Sequence, residues 1–360
     1  MSSTTLLTGF PGFIGTRLVA RLLDDRPDAR IVALVEPRMA DRAREVAAGL
    51  PGADRVQVEP GDITDPRLGL TDARYDELAG EVTEVFHLAA VYDLAVGETI
   101  AQKVNVEGTR HVIAFCEACS GLTRHNYVST CYVAGLRTGP VLESELDEGQ
   151  EFKNFYESTK FGAEVLVRAS MATVPTTIYR PGIVVGDSRT GETQKFDGPY
   201  FILRAISAFA RYGLPLMKMG RSDATFNAVP VDFIIDALAV GSQLPETAGE
   251  TLQLVDPQPL SAASLVELLS KTYAGKTPAI PTWLPSLEVA LSIKPIRQLV
   301  GGVPPESLRY LSHRVRYDGT RTQELLGPHG VSCPPFASYV GPFVDFFRVH
   351  EHDPAYAPNH

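Results

Sequence analysis

The sequence is short of cysteine, of positive charge and of long apolar runs, and each shortage argues against a class of protein. Four cysteines in 360 residues do not make a disulfide framework, so we expect a reducing, cytoplasmic environment. The net charge of -10 argues against a nucleic-acid partner, because binding to DNA depends on lysine and arginine. No apolar run reaches the roughly 20 residues of a transmembrane helix, and residues 5–8 are too short for the core of a signal peptide. The histidines and cysteines show no metal-ligand spacing, so we expect no metal site.

The first half of the chain alternates short apolar runs with helical patterns, which is typical of a parallel sheet with crossover helices. Ile14, Leu18 and Leu22 recur at four-residue spacing and predict a helix after the first strand. Further helices are predicted at about 105–119 and 155–171. Strands are predicted at residues 5–8, 31–35, 56–59, 85–88, 126–129 and 177–179. The predicted fold class is therefore α/β, with a Rossmann-type doubly wound parallel sheet.

A glycine-rich loop, Gly9-Phe10-Pro11-Gly12-Phe13-Ile14-Gly15, joins the first predicted strand to the first predicted helix. In such a loop the first glycine permits a tight turn, the second lets the backbone approach a phosphate, and the third lets helix and strand pack closely. The helix N-terminus then offers free N–H groups to a pyrophosphate. A purely structural turn is the alternative, but the position between a strand and an amphipathic helix favours a dinucleotide site.

Carboxylates follow the second and third predicted strands. Glu36 is placed to accept hydrogen bonds from the adenosine ribose, which favours NAD(H). Arg38 and Arg42 are close enough in sequence to pair instead with the 2′-phosphate of NADP(H), so both cofactors stay open. Asp62 and Ile63 are expected to meet the adenine, and a helix N-cap is the alternative role of Asp62.

Tyr156 and Lys160 have the spacing Tyr-x-x-x-Lys on a predicted helix. A free tyrosine has a pKa of about 10, and an ammonium group one helical turn away is expected to lower that pKa. Such pairs are frequent by chance, but Ser129 and Thr130 end the fifth predicted strand upstream, and ligands bind at the carboxyl ends of strands in doubly wound sheets. A hydroxyl there would hold a carbonyl oxygen while Tyr156 protonates it. The pattern predicts a nicotinamide-dependent oxidoreductase.

Several strings resemble, in order over about residues 4–245, the motifs of the extended short-chain dehydrogenase/reductase family. They are Gly9/Gly12/Gly15, His87-Leu88-Ala89-Ala90, Asn105-Val106-Glu107-Gly108-Thr109, Tyr127-Val128-Ser129-Thr130, the Tyr156/Lys160 pair and Arg180-Pro181-Gly182. Within the family, other strings are similar to the acyl-thioester reductase and male-sterility branch: Ala89-Ala90-Val91-Tyr92-Asp93, residues 127–135 and residues 183–188. Glu36 departs from that branch, which usually carries arginine at this position.

The resemblance implies roles for individual residues. Catalytic roles fall on Thr130, Tyr156, Lys160 and Asn105. The backbone expected to contact the cofactor, besides the glycine loop, is formed by Leu88, Ala89, Ala90, Pro181, Gly182 and Ile183. Substrate contacts are expected from Tyr92, Ser129, Thr130 and Cys131, with core packing as an equal alternative for Tyr92. Family members often pair through the two helices that flank the active site, so a homodimer is expected.

The second half of the chain predicts a smaller lobe beside the sheet. We predict an NAD(P)-binding domain at residues 1–187 and 224–245, and a mostly α C-terminal substrate lobe at 188–223 and 246–360 that includes a strand at 252–255. Basic residues between 188 and 222 suit the phosphates of coenzyme A or of a carrier-bound arm, with a solvated helix face as the alternative. The apolar stretch 280–300, which contains Trp283, is expected to form a substrate wall unless it only packs the lobe.

Together these features predict that NAD(P)H reduces a carbonyl (thioester, aldehyde or ketone) of a hydrophobic acyl-type substrate, in lipid or polyketide metabolism. A nucleotide-sugar epimerase is the main alternative. Epimerases of the family usually carry glycine inside the Tyr/Lys motif, whereas this chain has Glu157-Ser158-Thr159. A non-catalytic NAD(P)-binding sensor is the second alternative; such proteins commonly lose the tyrosine or the lysine, and this chain keeps both.

Overall fold

The computed structural model describes residues 3–92, 96–282, 284–299, 302–303 and 305–356. Asp93, Trp283 and Val300, which the sequence analysis placed in motifs, lie outside the described residues. The strands are β1 (Thr4–Thr8), β2 (Arg30–Val35), β3 (Val56–Pro60), β4 (Val82–His87), β5 (Arg124–Val128), β6 (Gly139–Val141), β7 (Thr176–Pro181), β8 (Ile183–Val185), β9 (Met217–Lys218), β10 (Ala228–Pro230), β11 (Thr251–Leu254), β12 (Ile280–Pro281) and β13 (Val315–Tyr317).

Helices follow most of these strands. They are α1 (Phe13–Asp25), α2 (Ala40–Ala48), α3 (Asp72–Glu81), α4 (Glu98–Ala101), α5 (Gly108–Ala118), α6 (Phe155–Ser170), α7 (Tyr200–Arg211), α8 (Val231–Gly241), α9 (Ala262–Ala274), α10 (Leu284–Ser292), α11 (Lys294–Leu299), α12 (Thr320–Leu326) and α13 (Phe336–His350). A π-helical segment, Gln102–Glu107, joins α4 to α5, and a 3₁₀ segment, Pro305–Leu311, follows α11.

A seven-stranded sheet with the order β11-β7-β5-β4-β1-β2-β3 forms the centre of the molecule. Every pairing within it is parallel. Helices α1 and α8 pack on one face, and α3, α5 and α6 cover the other. Because both faces are covered, most of the strands are buried along their whole length, including the polar residues of β1, β5 and β7. The predicted doubly wound α/β class is confirmed.

The strand predicted at 252–255 was assigned wrongly to the second lobe. As β11 it pairs with β7, from Thr251 opposite Ile178 to Leu254 opposite Pro181. All its side chains are buried, so the strand adds to the edge of the sheet instead of leaving its backbone groups without partners in a small lobe. The C-terminal boundary of the sheet domain therefore lies beyond residue 245.

The second lobe is built around aromatic packing. Helices α7, α9 and α13 pack against one another, and Tyr200 stacks on Phe343 with ring centroids 4.3 Å apart. Two short parallel pairs lie outside the main sheet: β8 with β10, and β9 with β12, the second of them within this lobe. Among the residues that the structure describes, we find no helix with the length and apolarity to cross a bilayer.

The strand order reverses between β1 and β4, where successive connections leave in opposite directions along the sheet. In doubly wound folds this reversal opens a crevice at the carboxyl ends of the strands. Here the crevice lies between the ends of β1, β4, β5 and β7 and the second lobe. A cavity of ≈ 720 Å³ occupies it.

Candidate active site

The glycine loop forms the floor of the cavity at the end of β1. Gly9 has φ +92°, and a Cβ atom there would lie 2.9 Å from Cβ of Leu88. A Cβ on Gly15 would lie 2.5 Å from the carbonyl oxygen of Gly9, so only glycine allows α1 to start this close to β1. Helix α1 begins at Phe13 with no side chain capping its N-terminus. Its first N–H groups are thus available to phosphate oxygens, which fits a bound dinucleotide.

Most residues predicted to hold the cofactor meet in this cavity. The lining includes Gly9, Gly12, Phe13, Ile14, Gly15, Leu88, Ala89, Ala90, Tyr156, Lys160, Pro181, Gly182 and Ile183. Phe10 instead packs in the core beneath α1, and Pro11 does not line the cavity. The backbone at the ends of three strands therefore surrounds one volume, as the sequence motifs predicted.

Glu36 and Arg38 lie at the end of β2, outside the cavity lining. They form an ion pair with 2.6 Å between Oε1 of Glu36 and Nε of Arg38, and both side chains are exposed. The carboxylate that would meet a ribose hydroxyl and the guanidinium that would meet a 2′-phosphate are thus bonded to each other.

Asp62 and Ile63 follow β3. The carboxylate of Asp62 accepts from the backbone N–H of Thr64 at 2.8 Å, so it stabilises a turn, and the N-cap of helix α3 is Thr71 instead. The alternative role of Asp62 as a helix N-cap is wrong. Ile63 is buried against Gly108, where its side chain fills the space that a Cβ atom would occupy.

Tyr156 lies in the first turn of α6. The side chain of Asn154 caps this helix by accepting from N–H of Glu157 at 3.0 Å, which fixes the N-cap two residues before Tyr156. The hydroxyl of Thr130, which follows β5, is close to the phenol, and both residues line the cavity. Thr130 accepts from the N–H of Tyr132 at 3.2 Å. Two groups predicted to act together, one from a strand end and one from a helix, therefore face the same volume.

Burial raises the pKa of Tyr156; the hydrogen bond from Thr130 lowers it by less, and the nearby Cys131 and Glu157 raise it further. This corrects the expectation that Lys160 lowers the pKa of the phenol. A phenol of raised pKa stays protonated at neutral pH, which suits a proton donor.

Lys160 lies one turn further along α6 with its amine turned to β5. Nζ donates to the hydroxyl of Tyr127 and to the carbonyl oxygen of Val128, at 2.9 Å each. Burial lowers the pKa of Lys160 to about 7, although the carboxylate of Glu164 acts in the opposite direction. The amine can therefore exchange its charge near neutral pH.

Asn105 lies outside the cavity lining and supports two segments that border it. Its side chain is 1% exposed, and Oδ1 accepts from the N–H of Val91 at 2.9 Å. Its Nδ2 atom donates to the hydroxyl of Thr159 on α6 at 3.0 Å. Asn105 does not line the cavity, so the structure places it as a tie between the segment after β4 and the catalytic helix.

Besides Thr130, three residues were predicted to contact substrate, and the structure places two of them in the cavity lining and one in the core. The ring of Tyr92 lines the cavity with its centroid 5.3 Å from that of Tyr156. Ser129 lines the cavity as well, but its hydroxyl donates to Oε2 of Glu164 at 2.6 Å. Cys131 is 1% exposed and packs against Tyr317; burial raises its pKa to about 12. The expected substrate contact of Cys131 is wrong, because the turn after Thr130 directs its side chain into the core.

Sequence reasoning missed the aromatic wall opposite Tyr156. Tyr132 and Tyr310 both line the cavity, with perpendicular rings 5.0 Å apart. The hydroxyl of Tyr310 donates to Oε1 of Glu157 at 2.9 Å and accepts from Nδ2 of Asn154 at 3.0 Å. Glu157 is fully buried beside Tyr156. No local pattern links positions this far apart in the chain, so the sequence carried no signal for the contact.

Beyond these tyrosines the cavity is mostly apolar. Its apolar wall is formed by Phe201, Ile202, Ala205, Ile206, Phe209, Leu216, Met217, Met219, Phe226, Leu287, Leu291, Val303, Leu308 and Leu311, and the lining also contains Thr193, Gln194, Lys195, Asp197, Arg297 and Ser307. Leu287 and Leu291 belong to the apolar stretch 280–300 that was expected to form a substrate wall. The cavity is thus continuous from the glycine loop to a region suited to hydrocarbon.

The basic residues between 188 and 222 do not form one phosphate-binding group. Arg189 and Arg221 pair with acidic neighbours in the chain, and Arg211 contacts His352. Of the six lysine and arginine residues between 188 and 222, only Lys195 lines the cavity. Its Nζ atom lies 3.7 Å from the carboxylate of Asp197. The described residues contain no cluster of three or more side chains able to hold a metal ion.

Comparisons with known proteins agree with this geometry. A family model described as male sterility protein matches residues 7–238. The terminal R domain of the myxalamid PKS-NRPS pathway has a similar structure, with a TM-score of 0.80 and 29% identity over 98% of this chain and 92% of that chain.

Two curated relatives are much longer than this chain. A linear gramicidin synthase of Brevibacillus parabrevis is 27% identical over 95% of this chain but only 7% of its own length. Glycine betaine reductase ATRR of Emericella nidulans is 29% identical over 74% of this chain and 22% of its own length. The chain therefore spans less than a quarter of either relative.

Proposed function

The chain belongs to the male sterility protein family of NAD(P)-dependent oxidoreductases, and from that premise we propose that it reduces the carbonyl group of an apolar acyl-type substrate. The observation that carries the proposal is that Thr130 and Tyr156 lie close together in the wall of a cavity that runs from the glycine loop to an apolar end. A bound NAD(P)H supplies the hydride.

The residues of the chain supply orientation and the proton. Thr130 and Tyr156 are placed to bond the substrate carbonyl oxygen together. As negative charge develops on that oxygen, Tyr156 donates its phenolic proton to it. Lys160, whose amine is held by β5 and not by Tyr156, would hold the nicotinamide ribose and place a positive charge in the same site. Asn105 keeps α6 in position against the segment after β4.

The apolar end of the cavity supports a substrate with a hydrocarbon or aromatic chain. Burial of each methylene contributes about 0.8 kcal/mol, so a chain of several carbons would bind there without polar partners. The myxalamid neighbour is a terminal R domain from a PKS-NRPS biosynthetic pathway. By analogy we propose an acyl thioester on coenzyme A or on a carrier protein, or the aldehyde derived from it, as the substrate.

The same wall argues against the sugar-nucleotide epimerase alternative. A sugar nucleotide needs cationic and hydrogen-bonding side chains around its diphosphate and hydroxyls, whereas the wall beyond Tyr156 is mostly phenylalanine, leucine, isoleucine and methionine, with Lys195 and Arg297 as its cationic side chains. The sensor alternative is disfavoured by the contact between Thr130 and Tyr156, which a protein that only binds cofactor does not need.

We propose NAD(H) as the preferred cofactor on the basis of Glu36. Its ion pair engages the guanidinium of Arg38, and the carboxylate would repel a 2′-phosphate. Comparing kcat/KM for NADH and NADPH tests the assignment, and a tenfold preference for NADPH would overturn it. The homodimer expected from the resemblance stays a prediction, which light scattering of the purified chain can check.

A substrate panel tests the proposed activity. Purified protein and NAD(P)H are mixed with acyl-CoA thioesters, aldehydes and ketones of increasing chain length, and the loss of NAD(P)H absorbance is followed. Turnover of at least one apolar carbonyl is expected. The variant Tyr156→Phe should lose about 100-fold or more in kcat and still bind NAD(P)H. Near-normal kcat in that variant, or interconversion of nucleotide sugars without net cofactor loss, contradicts the proposal.

A further inference from the structure

The amine of Lys160 is held by strand β5 and not by its own helix. Nζ donates to the hydroxyl of Tyr127 at 2.9 Å, and the ring of Tyr127 lies under the amine with its centroid 4.5 Å away. Lys160 lines the cavity, while Tyr127 is 0% exposed. The amine thus faces the site, and the group that fixes it lies in the core.

A buried chain of hydrogen bonds crosses the sheet close to the hydroxyl of Tyr127, and Thr109 on α5 is the member nearest to it. Oγ1 of Thr109 lies 3.0 Å from Nε2 of His87 on β4, and Nδ1 of His87 lies 2.8 Å from Oγ1 of Thr8 on β1. Since each member comes from a different element, the hydroxyl of Tyr127 has rigid surroundings in the centre of the fold.

The donor and the acceptor of each hydrogen bond in this network can be assigned by starting from Thr8. Oγ1 of Thr8 already accepts from the N–H groups of Leu88 and Ala89. Its own proton therefore goes to Nδ1 of His87, and the imidazole must carry its proton on Nε2. Burial holds the pKa of His87 well below its ordinary value, so the ring is neutral, as this assignment requires.

Thr109 donates to the carbonyl oxygen of Asn105 at 2.6 Å, so its oxygen accepts from Nε2 of His87 and its proton is not available to Tyr127. An ammonium group can only donate, so the oxygen of Tyr127 is the acceptor in its 2.9 Å contact with Lys160. Because the ring of Tyr127 is 0% exposed, packing fixes this acceptor in place.

We infer that Tyr127 is a positioning residue, whose locked hydroxyl fixes the amine of Lys160 at the carboxyl end of β5 and stabilises its ammonium form. The inference rests on the proposed function, in which Lys160 holds the cofactor ribose and supports Tyr156. An acceptor favours the charged form of an amine, so without this hydroxyl Lys160 should lose its proton at a lower pH.

The variant Tyr127→Phe tests the inference by pH profiles. The limb on which kcat falls with rising pH should move to lower pH by roughly half a unit or more, and kcat should fall about tenfold. The dissociation constant of NAD(P)H, measured by its fluorescence without substrate, should show the same shift with pH. A side chain that only packs the core would change stability and leave both pH profiles in place.

Tyr179→Phe is the matched control. Tyr179 lies on the neighbouring strand β7, is 0% exposed, and donates its hydroxyl to Oδ1 of Asn126 at 3.2 Å. The control loses the same atom from the same burial and should keep the wild-type pH profiles. If Tyr127→Phe and Tyr179→Phe give the same profiles, the inference is overturned.

Two further arms keep the outcome decisive. If Tyr127→Phe does not fold, Tyr127→Met and the control Tyr179→Met replace the pair; a shift to lower pH in the first variant alone supports the inference, and the same profiles in both overturn it. If the wild type reduces no carbonyl, the proposed function fails. The pH dependence of NAD(P)H binding then still decides whether Tyr127 sets the state of Lys160.

Discussion

At the scale of single residues, burial governs the protonation of the groups around Thr130. It raises the pKa of Tyr156 and lowers that of Lys160 to about 7. Both shifts favour the neutral form, as expected where water is excluded. A phenol that keeps its proton and an amine that titrates near neutrality make the site sensitive to pH on the basic side.

The lowered pKa of Lys160 has a consequence for folding. In the unfolded chain this amine keeps its proton up to about pH 10.5, and in the folded protein only up to about pH 7. Between these values the unfolded state binds more protons, so stability rises with pH by up to about 1.4 kcal/mol per pH unit. Below about pH 7 both states are protonated and the full cost of burying the charge remains.

Lys160→Met should therefore be more stable than the wild type at neutral and acidic pH, and the difference should shrink as pH rises. Methionine has a similar length without the charge. Urea unfolding of both proteins across this pH range measures the difference. Parallel pH profiles would contradict the assignment of a buried, titrating amine.

At the scale of elements, helix α6 carries Tyr156, Lys160 and Glu164 at four-residue spacing on its buried face. Glu164 ties the helix to β7, with 2.6 Å between its Oε1 atom and Nη2 of Arg180. Burial disfavours the carboxylate, but Arg180, Ser129 and Arg168 outweigh it and hold the pKa of Glu164 below its ordinary value.

Glu164→Gln should destabilise the protein by about 3–5 kcal/mol, because the buried guanidinium of Arg180 would lose its charged partner. Glu267→Gln is the control, since Glu267 pairs with Lys271 on an exposed helix face; it should change the free energy of unfolding far less, because solvent screens the pair. Urea unfolding at neutral pH compares them. Equal losses in the two variants would show that the buried pair does not hold α6 to the sheet.

The 3₁₀ segment Pro305–Leu311 is fastened to α6 by Tyr310. Tyr310→Phe removes the donor to Glu157 and the acceptor for Asn154, so this wall of the cavity should loosen. We expect KM for the carbonyl substrate to rise roughly 3- to 10-fold, with little change in kcat. Tyr339→Phe removes a buried hydroxyl that donates to Ala228 in the second lobe and should leave KM unchanged. The same KM in both variants would contradict a role of Tyr310 in the wall.

At the scale of the whole molecule, the site exists only because the second lobe closes over the ends of the sheet strands. Glu192, in the loop before α7, pairs with Arg17 on α1 at 3.1 Å. The loop thereby passes over the start of the helix that offers its N-terminus to phosphate. The apolar end is completed by α7, α10 and Pro305–Leu311, so the lobe sets the length of the apolar end of the cavity.

Leu291→Trp should shorten the apolar end of the cavity. Leu291 is 2% exposed and lines the cavity, and kcat/KM for long acyl chains should fall by tenfold or more, about 1.4 kcal/mol, while short chains are spared. Val289→Trp is the matched control on the same helix, because Val289 is 68% exposed. A chain-length profile measured on both variants checks this. An equal loss for short and long chains in Leu291→Trp would contradict it.

The sequence by itself determined the parts of this protein that depend on neighbouring residues. Alternating buried strands and helices, the three glycines of the loop, and the spacing of Tyr156 and Lys160 on one helix are all local patterns. Backbone geometry forces their outcome, since residues four apart on a helix share a face and Gly9 adopts a φ that other residues avoid. The doubly wound class could be predicted because parallel connections have few arrangements.

Only the tertiary structure decided the rest. Tyr310 reaches Glu157 across 153 positions, β11 joins the sheet after the chain has left it, and Lys160 turns to Tyr127 instead of Tyr156. Cys131 turns away from the cavity although it follows Thr130 directly. These outcomes depend on which side chains share a buried volume and satisfy one another's hydrogen bonds there, and that is a property of the packed chain that no short window of sequence contains.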